Sequence, residues 1–562
     1  MSRVARGRIP PRLANAVRRP RWTSRVSMAD VLDHREWWRG AVIYQIYPRS
    51  FADGNGDGVG DLPGITARLD YVTGLGADAI WLSPIFPSPM ADFGYDVADY
   101  LDVDPLFGTI EDLDLLVAQA HARGLRVILD LVPNHTSDEH PWFVDARSSR
   151  ESRYRDWYIW REGRADGSPP NNWQSYFGGS AWEWDERTAQ FYLHLFDRKQ
   201  PDLNWRNPRV REAIYEVIRF WFDRGIDGLR IDVLWLLVKD AEFRDNPPSP
   251  TLRHGEYEWS RYDRPGFEDR PEVHDIVREM RSVADEYDQR VLIGEIYLPL
   301  ERLVRYYGEH LSGIHLPFNF GLITIPRWDA TTIAELIERY EAALPAGAAP
   351  NWVLGNHDVP RIATRAGAAG ARLALMLLLT LRGTATCYYG DEIGLQNANI
   401  PPERISDPQA RIGKSRDGAR TPMQWDADDS AGFSPPQIQP WLPLTADHRE
   451  RNVDAQDKDP ASELNLFRQL VRLRRESPAL AHGSYRAVVA GDHDLLVYVR
   501  EHQDERDLVA LNFASEPRSL DLRHIGSSSK LLCSTRPDRR NHRLDPLVLD
   551  AHEGALLRLQ RT

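Results

Sequence analysis

The chain has 562 residues, 42% of them hydrophobic and 27% charged, which suits one large globular domain with additions. A formal net charge of −13 argues against nucleic acid as a partner for the body of the protein. No apolar run of about 18 residues reads as a membrane span, and two cysteines, Cys387 and Cys533, are too few for a disulfide framework; both are expected as reduced, buried thiols of a cytoplasmic protein.

The first 29 residues hold eight arginines and no acid, yet lack the apolar stretch of a secretory signal. A transit peptide or a disordered arm for an anionic surface has such a composition. The plainer reading is an unstructured extension ahead of Met28, and residues 1–36 are set aside as that extension.

The first expected strand is 42–48, "VIYQIYP", β-branched and aromatic. Directly after it comes "DGNGDGVGD", residues 53–61. Asp53, Asn55, Asp57 and Asp61 fall at positions 1, 3, 5 and 9 of a calcium loop, with the Val59 carbonyl at 7 and Gly58 at 6. Position 12, where a bidentate glutamate belongs, is Gly64, and a strand precedes the loop where an EF-hand has a helix.

Further strands are expected at 79–84, 126–132, 228–233, 291–297, 313–318, 351–356 and 384–389, separated by amphipathic stretches such as 110–123, 208–224 and 372–381. Apolar strands alternating with helices imply a parallel sheet covered on both faces, and eight of them is the count of a (β/α)8 TIM barrel. A doubly wound sheet is the alternative, although it rarely needs eight such units. The third gap, 134–204, is rich in Trp, Gly, Pro and Asn and too long for a plain loop, so it reads as an inserted domain over the barrel mouth. A second irregular segment, roughly 395–460, follows the eighth strand. A helical pattern at 462–480 then leads into hairpin-like runs that suggest a small antiparallel β domain. The expected division is a barrel of 37–133 and 205–478, an insertion of 134–204 and a β domain of 479–562.

Acids accumulate where a barrel keeps its chemistry, at the C-terminal ends of strands. Asp130 lies in the third strand, followed by Asn134 and His135. Arg230 and Asp232 stand two apart on the fourth, Glu295 near the end of the fifth, and His357 and Asp358 after the seventh. Any one of these acids alone is more often a helix cap or a surface ion pair. Four at equivalent strand ends, costing several kcal/mol per unpaired buried ion, make a catalytic cluster the better reading. Neither a Gly-rich phosphate cradle nor a Cys/His metal cluster accompanies them. Paired carboxylates with aromatic walls suit glycosidic bond cleavage.

At these residues the sequence resembles the α-amylase family of glycoside hydrolases, in its α-glucosidase and oligo-1,6-glucosidase branch. The matching stretches are "DLVPNH" (130–135), "QPDLNW" (200–205), "GLRIDV" (228–233), "GEIY" (294–297), "NHD" (356–358), "YYGDEIG" (388–394) and "RDGARTPMQWD" (416–426), in family order. The resemblance implies Asp232 as nucleophile, Glu295 as acid and then base, and Asp358 as a sugar-binding carboxylate that raises the acid's pKa. It makes Arg230 the partner that keeps Asp232 ionised, and His135 and His357 donors to sugar hydroxyls. Retention of configuration asks for Asp232 and Glu295 carboxyls roughly 5–5.5 Å apart. For exo action the resemblance implies Asp96 of "GYD" paired with Arg416 over the non-reducing 4-hydroxyl (Arg420 being the alternative partner), Tyr95 beneath the ring and Phe177 lining the pocket. It also makes Asp53, Asn55, Asp57, the Val59 carbonyl and Asp61 a structural Ca²⁺ site, with Mg²⁺ as alternative, and no organic cofactor.

Val233 and "QPDLN" resemble α-1,6-cleaving members, whereas residues 233–250 resemble broad bacterial α-glucosidases. The expectation is an exo-acting, retaining α-glucosidase on short α-1,4- or α-1,6-linked oligosaccharides. Transglycosylation or sugar isomerisation through the same glucosyl-enzyme is the alternative, although the "RLDRD" stretch of sucrose isomerases is missing. A transporter-associated chain of this fold is disfavoured by three intact acids. The expected partner is a small oligosaccharide, with no nucleic acid or membrane, on a monomer or homodimer.

Overall fold

A computed structural model describes residues 36–250, 261–489 and 493–560; most of the basic extension expected at 1–36 lies outside them. Eight parallel strands form the central sheet: β1 (Val42–Ile46), β2 (Ala79–Leu82) and β3 (Arg126–Leu131), then, beyond the insertion with its strands β4 (Trp160–Arg161), β5 (Trp182–Asp185) and β6 (Gln190–Leu193), β7 (Gly228–Ile231), β8 (Val291–Gly294), β9 (Leu316–Pro317), β10 (Asn351–Val353) and β11 (Thr384–Tyr388). Their order is β10-β11-β1-β2-β3-β7-β8-β9, and a parallel bridge from Asn319 to Trp352 brings the two ends together. The sheet is a TIM barrel, as the eight apolar runs imply.

Each strand stops short of its apolar run. The run at 228–233 leaves the ladder at Asp232, and Val233 turns into the left-handed region with φ 36°. Single backbone bonds still hold the departing residues: Asp232 N–H donates to Leu131 O at 2.9 Å, Glu295 N–H to Ile231 O at 3.0 Å. The strand ends thus serve as mounts for side chains at the mouth. Register does the rest, because Asp130 on β3 stands directly opposite Arg230 on β7.

The helices follow the amphipathic pattern. Ile110–Ala122 opens with a Thr109–Asp112 capping box, and Pro208–Asp223 opens with Asn207 as cap and proline at its first position. The expected stretch 372–381 is the back half of a longer helix, Ile362–Thr380, which bends at Gly367 with φ 74°. That helix corrects the first reading of the apolar runs, since by length and composition it is apolar enough to cross a membrane. Its apolarity has a local cause: it packs between the barrel and the C-terminal sheet. Arg500 Nη1 donates to Thr380 O at 2.7 Å, and Gly554 closes against Met376 and Leu373.

The insertion carries a three-stranded antiparallel sheet, β4-β6-β5. Its tryptophans form its own core: Trp157, Trp160, Trp173 and Trp182 are buried, Trp160 stacks on Phe143, and only Trp184 is exposed among the large aromatics there. After helix Glu463–Glu476 come β12 (Ser484–Val489), β13 (Leu495–His502), β14 (Glu505–Asn512), β15 (Arg518–Leu520), β16 (Ser529–Ser534), β17 (Leu547–Leu549) and β18 (Gly554–Leu559). Five of them form an antiparallel sheet ordered β12-β13-β14-β18-β16, and β15 pairs with β17. Val497, Val499, Leu508, Leu547 and Leu557 fill the space between them. Cys387 and Cys533 are free and buried.

Candidate active site

Arg230 is the centre of the barrel mouth. It is 1% exposed, and its guanidinium lies near the rings of Trp81 and Tyr95. Nη1 reaches Asp130 at 2.8 Å and Asp232 at 2.6 Å, while Nη2 reaches Glu295 at 2.8 Å. Glu295 also accepts the Val233 N–H at 2.9 Å. The strained Val233 backbone is what aims that N–H at the carboxylate; such a conformation in a β-branched residue costs of order 1–3 kcal/mol.

One guanidinium therefore serves three buried carboxylates. Burial raises the proton affinity of Asp232 well above the ordinary range, with Glu295 and Asp130 adding to it and Arg230 opposing. Burial raises Glu295 too, against Arg230 and with Asp358 pushing the same way. Asp130 is pushed up by burial to about 7. Arg230 is the one positive charge among three carboxyls; it opposes the rise that burial and their mutual repulsion impose on each of them.

Asp358 behaves oppositely. Burial would raise it, but the charges of Arg416 and Arg420, with His357 Nε2 3.3 Å from its Oδ2, hold it below the ordinary carboxylate range. Its Oδ1 accepts from Arg416 Nη1 and Arg420 Nη2, each at 3.1 Å. His357, pushed down by burial to about 3, is neutral. Gln45 Nε2 lies 2.9 Å from its Nδ1 and Tyr95 Oη 2.7 Å from its Nε2, with Tyr95 in turn donating to Asp130 at 3.1 Å. These contacts fit an Nε2–H tautomer. The rings of Tyr47 and Tyr95 lie nearly parallel to the imidazole, with centroids 5.6 and 5.3 Å from it.

His135, pushed down by burial to about 4, is also neutral. Its Nε2 is 3.1 Å from the Tyr95 carbonyl and its Nδ1 3.1 Å from Asn134 Nδ2. Buried Lys239 holds Asn134 Oδ1 at 2.7 Å and Asp202 of "QPD" at 2.6 Å, which fixes the region beneath His135.

One expected pairing is wrong. Asp96 does not meet Arg416; its two oxygens accept the backbone N–H groups of Ala91 and Asp92 at 2.8 and 2.9 Å, closing the turn that contains Gly94 at φ 101°. Asp92, four residues earlier, is the partner of Arg416, at 2.7 Å from Nη2. The physical reason is that turn: Asp96 points back into its own loop, and in doing so presents Asp92 outward. Arg420 binds the His357 carbonyl and Asp358, so it supports the site without replacing Arg416. Phe177 lies under the Arg416 guanidinium, 5.6 Å from ring centroid to Cζ. Asp407, Gln45, Tyr47 and Lys239 also enter the network, and their local sequence carries no signal of it.

In the loop after β1, Asp53 accepts N–H groups from Gly56, Asp57 and Gly58, Asn55 accepts from Asp57, and Asp57 from Val59. The loop is thus wound on its own alternate oxygens, an all-oxygen donor set that suits a hard cation. Asp61 spends its carboxylate on Gly54, Asn55 and Gly64 N–H and caps helix Leu62–Ala67. Among the described residues no three acids or histidines gather as a metal site.

Residues 45–483 match the family model for the α-amylase catalytic domain. A probable α-glucosidase of Rhizobium meliloti (strain 1021) is 45% identical over 511 residues, 87% of this chain and 91% of that protein. An oligo-1,6-glucosidase of Parageobacillus thermoglucosidasius is 39% identical over 523 residues, 86% and 91% of the two chains. Among solved structures, the α-glucosyl transfer enzyme XgtA superposes with a TM-score of 0.87 at 40% identity, covering 93% of this chain and all of that one. The trehalulose synthase MutB from Pseudomonas mesoacidophila MX-45 gives 0.86 at 36% identity, covering 93% and 99%.

Proposed function

The chain belongs to the α-amylase family of glycoside hydrolases, in its α-glucosidase and oligo-1,6-glucosidase branch, and from that premise we propose that it is an exo-acting, retaining α-glucosidase on short oligosaccharides. The observation that carries this reading is the pair of clusters at the barrel mouth, Asp130–Asp232–Glu295 around Arg230 and Asp92–Asp358 around Arg416.

Asp232 attacks the anomeric carbon while Glu295 gives its proton to the leaving glycosidic oxygen. A β-linked glucosyl-enzyme and a free aglycone result. Glu295, now ionised, takes a proton from water, whose oxygen attacks the same carbon and releases Asp232 and α-glucose. The raised Glu295 suits the acid role, and its place with Asp232 on the two terminal nitrogens of one guanidinium supports the short carboxyl separation of a retaining enzyme. Asp92, Arg416 and Asp358 would grip the hydroxyls of the terminal glucose, and the Arg416–Phe177 contact would wall off the far end, favouring a pocket over an open cleft. Asp53, Asn55, Asp57, Asp61 and the Val59 carbonyl would hold a Ca²⁺ ion that braces the loop without joining the reaction.

The second reading, transfer to a sugar hydroxyl in place of water, is favoured by the likeness to a glucosyl transfer enzyme and a trehalulose synthase. Both readings are separated by glucose release from maltose, isomaltose, sucrose and trehalose, with Asp232→Asn alongside. Hydrolysis predicts glucose from maltose or isomaltose, reduced on the order of 10⁴-fold in the variant. Isomerised disaccharide or longer products would assign the enzyme to transfer, and no turnover would overturn the assignment.

A further inference from the structure

One buried acid beside the site has no role in the steps above. Asp407 lies in the long segment after β11 and is 3% exposed. Its carboxylate grips the same edge of Arg416 twice, at 2.9 Å from Nε and 2.7 Å from Nη2, and also takes the Arg416 backbone N–H. That leaves Nη1 for Asp358 at 3.1 Å and the rest of Nη2 for Asp92 at 2.7 Å.

The same residue anchors the wall of the mouth. Gln409 N–H donates to Asp407 at 3.1 Å and opens the short turn Pro408–Ile412, and Arg411 on that turn reaches Asp197 of the insertion at 3.3 Å. Asp417 holds the loop from the other side by accepting the Ser406 and Asp407 N–H groups at 2.8 and 3.1 Å.

We infer that Asp407 is a positioning residue that locks the Arg416 guanidinium between Asp92 and Asp358 and so shapes the closed end of the glucose pocket. The inference rests on the exo-glucosidase reading above. Arginine presents a planar fork, and a carboxylate on its Nε–Nη2 edge removes the freedom of that plane. A turn cap alone needs only one neutral acceptor for Gln409. Asparagine at 407 keeps such an acceptor and loses the charged fork, so the two roles come apart in Asp407→Asn.

The test is a double-mutant cycle on kcat and KM for maltose with wild type, Asp407→Asn, Arg416→Ala and the double variant, with melting temperatures. Asp407→Asn is expected to lower kcat/KM about 10- to 100-fold, chiefly through KM, with little change in melting temperature. In the Arg416→Ala background the same substitution is expected to have no further effect. Asp407→Glu enters the same cycle should the asparagine variant not fold. Wild-type kinetics in Asp407→Asn, or losses that multiply in full in the double variant, would overturn the role of Asp407. A wild type that turns over none of the four disaccharides would instead overturn the glucosidase reading.

Discussion

At the scale of single residues, Asp92 and Asp96 show how two acids four positions apart divide the work of one loop. Asp96 folds the turn, and Asp92 pairs with Arg416. Burial pushes Asp92 up to about 6, with Arg416 and Arg420 opposing. Asp92 is therefore ionised and paired with Arg416 above that pH and takes a proton below it. The KM for maltose should rise as the pH falls through about 6, and Asp92→Asn should raise KM at all pH values and flatten that dependence. Steady-state kinetics between pH 5 and 8 checks it; an unchanged KM profile in the variant would refute the assignment. Val233 supplies a second prediction. Its backbone serves Glu295, whereas its side chain is one of the two features expected to bear on linkage. Val233→Ala should shift the ratio of kcat/KM values from isomaltose towards maltose, by at most about 10- to 200-fold. Both motifs containing these residues stand out in the sequence, but which of the acids around Gly94 faces Arg416 does not. That choice depends on where the turn sends each side chain.

Among the elements, the loop after β1 joins two devices in nine residues. Its first half is wound on Asp53, Asn55 and Asp57, and its end, Asp61, caps a helix. Chelation should lower the melting temperature of the wild type, and Asp53→Ala should remove that difference. Asp61→Ala should remove the EDTA difference too, and should cost ~1 kcal/mol even without the cation, because its cap bond to Gly64 is lost as well. Melting curves with and without EDTA decide this, and an EDTA effect that survives in Asp53→Ala would move the cation elsewhere. The alternation of oxygens was legible because it is local. The use of Asp61 as a cap was not, since the same residue type serves both purposes.

Across the whole molecule, the barrel buries charge outside the two proposed clusters as well. Asp391 and Glu392, both in "YYGDEIG", lie beside fully buried Arg361, with Glu392 accepting from Tyr44 and Tyr71. Burial pushes Asp391 up to about 7 against Arg361. An unfolded aspartate has a pKa near 3.9, so the folded value is the higher one. The contribution of this group is fully present below about pH 4 and is lost as the pH rises to about 7, roughly 4 kcal/mol in all. Asp391→Asn should therefore lose less stability than the wild type between pH 5 and 8. Melting temperatures across that range test it, and parallel profiles would exclude Asp391 as the source.

The eight strands, the insertion, the β tail and the acids at Asp232, Glu295 and Asp358 follow from the sequence itself, because hydrophobic period and short motifs are carried by neighbours along the chain. Strand lengths do not follow, since the apolar runs continue where the backbone has already turned into the mouth. What only the tertiary structure decided is who faces whom. Arg416 meets Asp92 across 324 positions, and Arg230, besides its neighbour Asp232, gathers Asp130 and Glu295 from the two flanking strands. Such pairings have no local signal, because barrel closure and loop packing bring them together after every local preference has been satisfied.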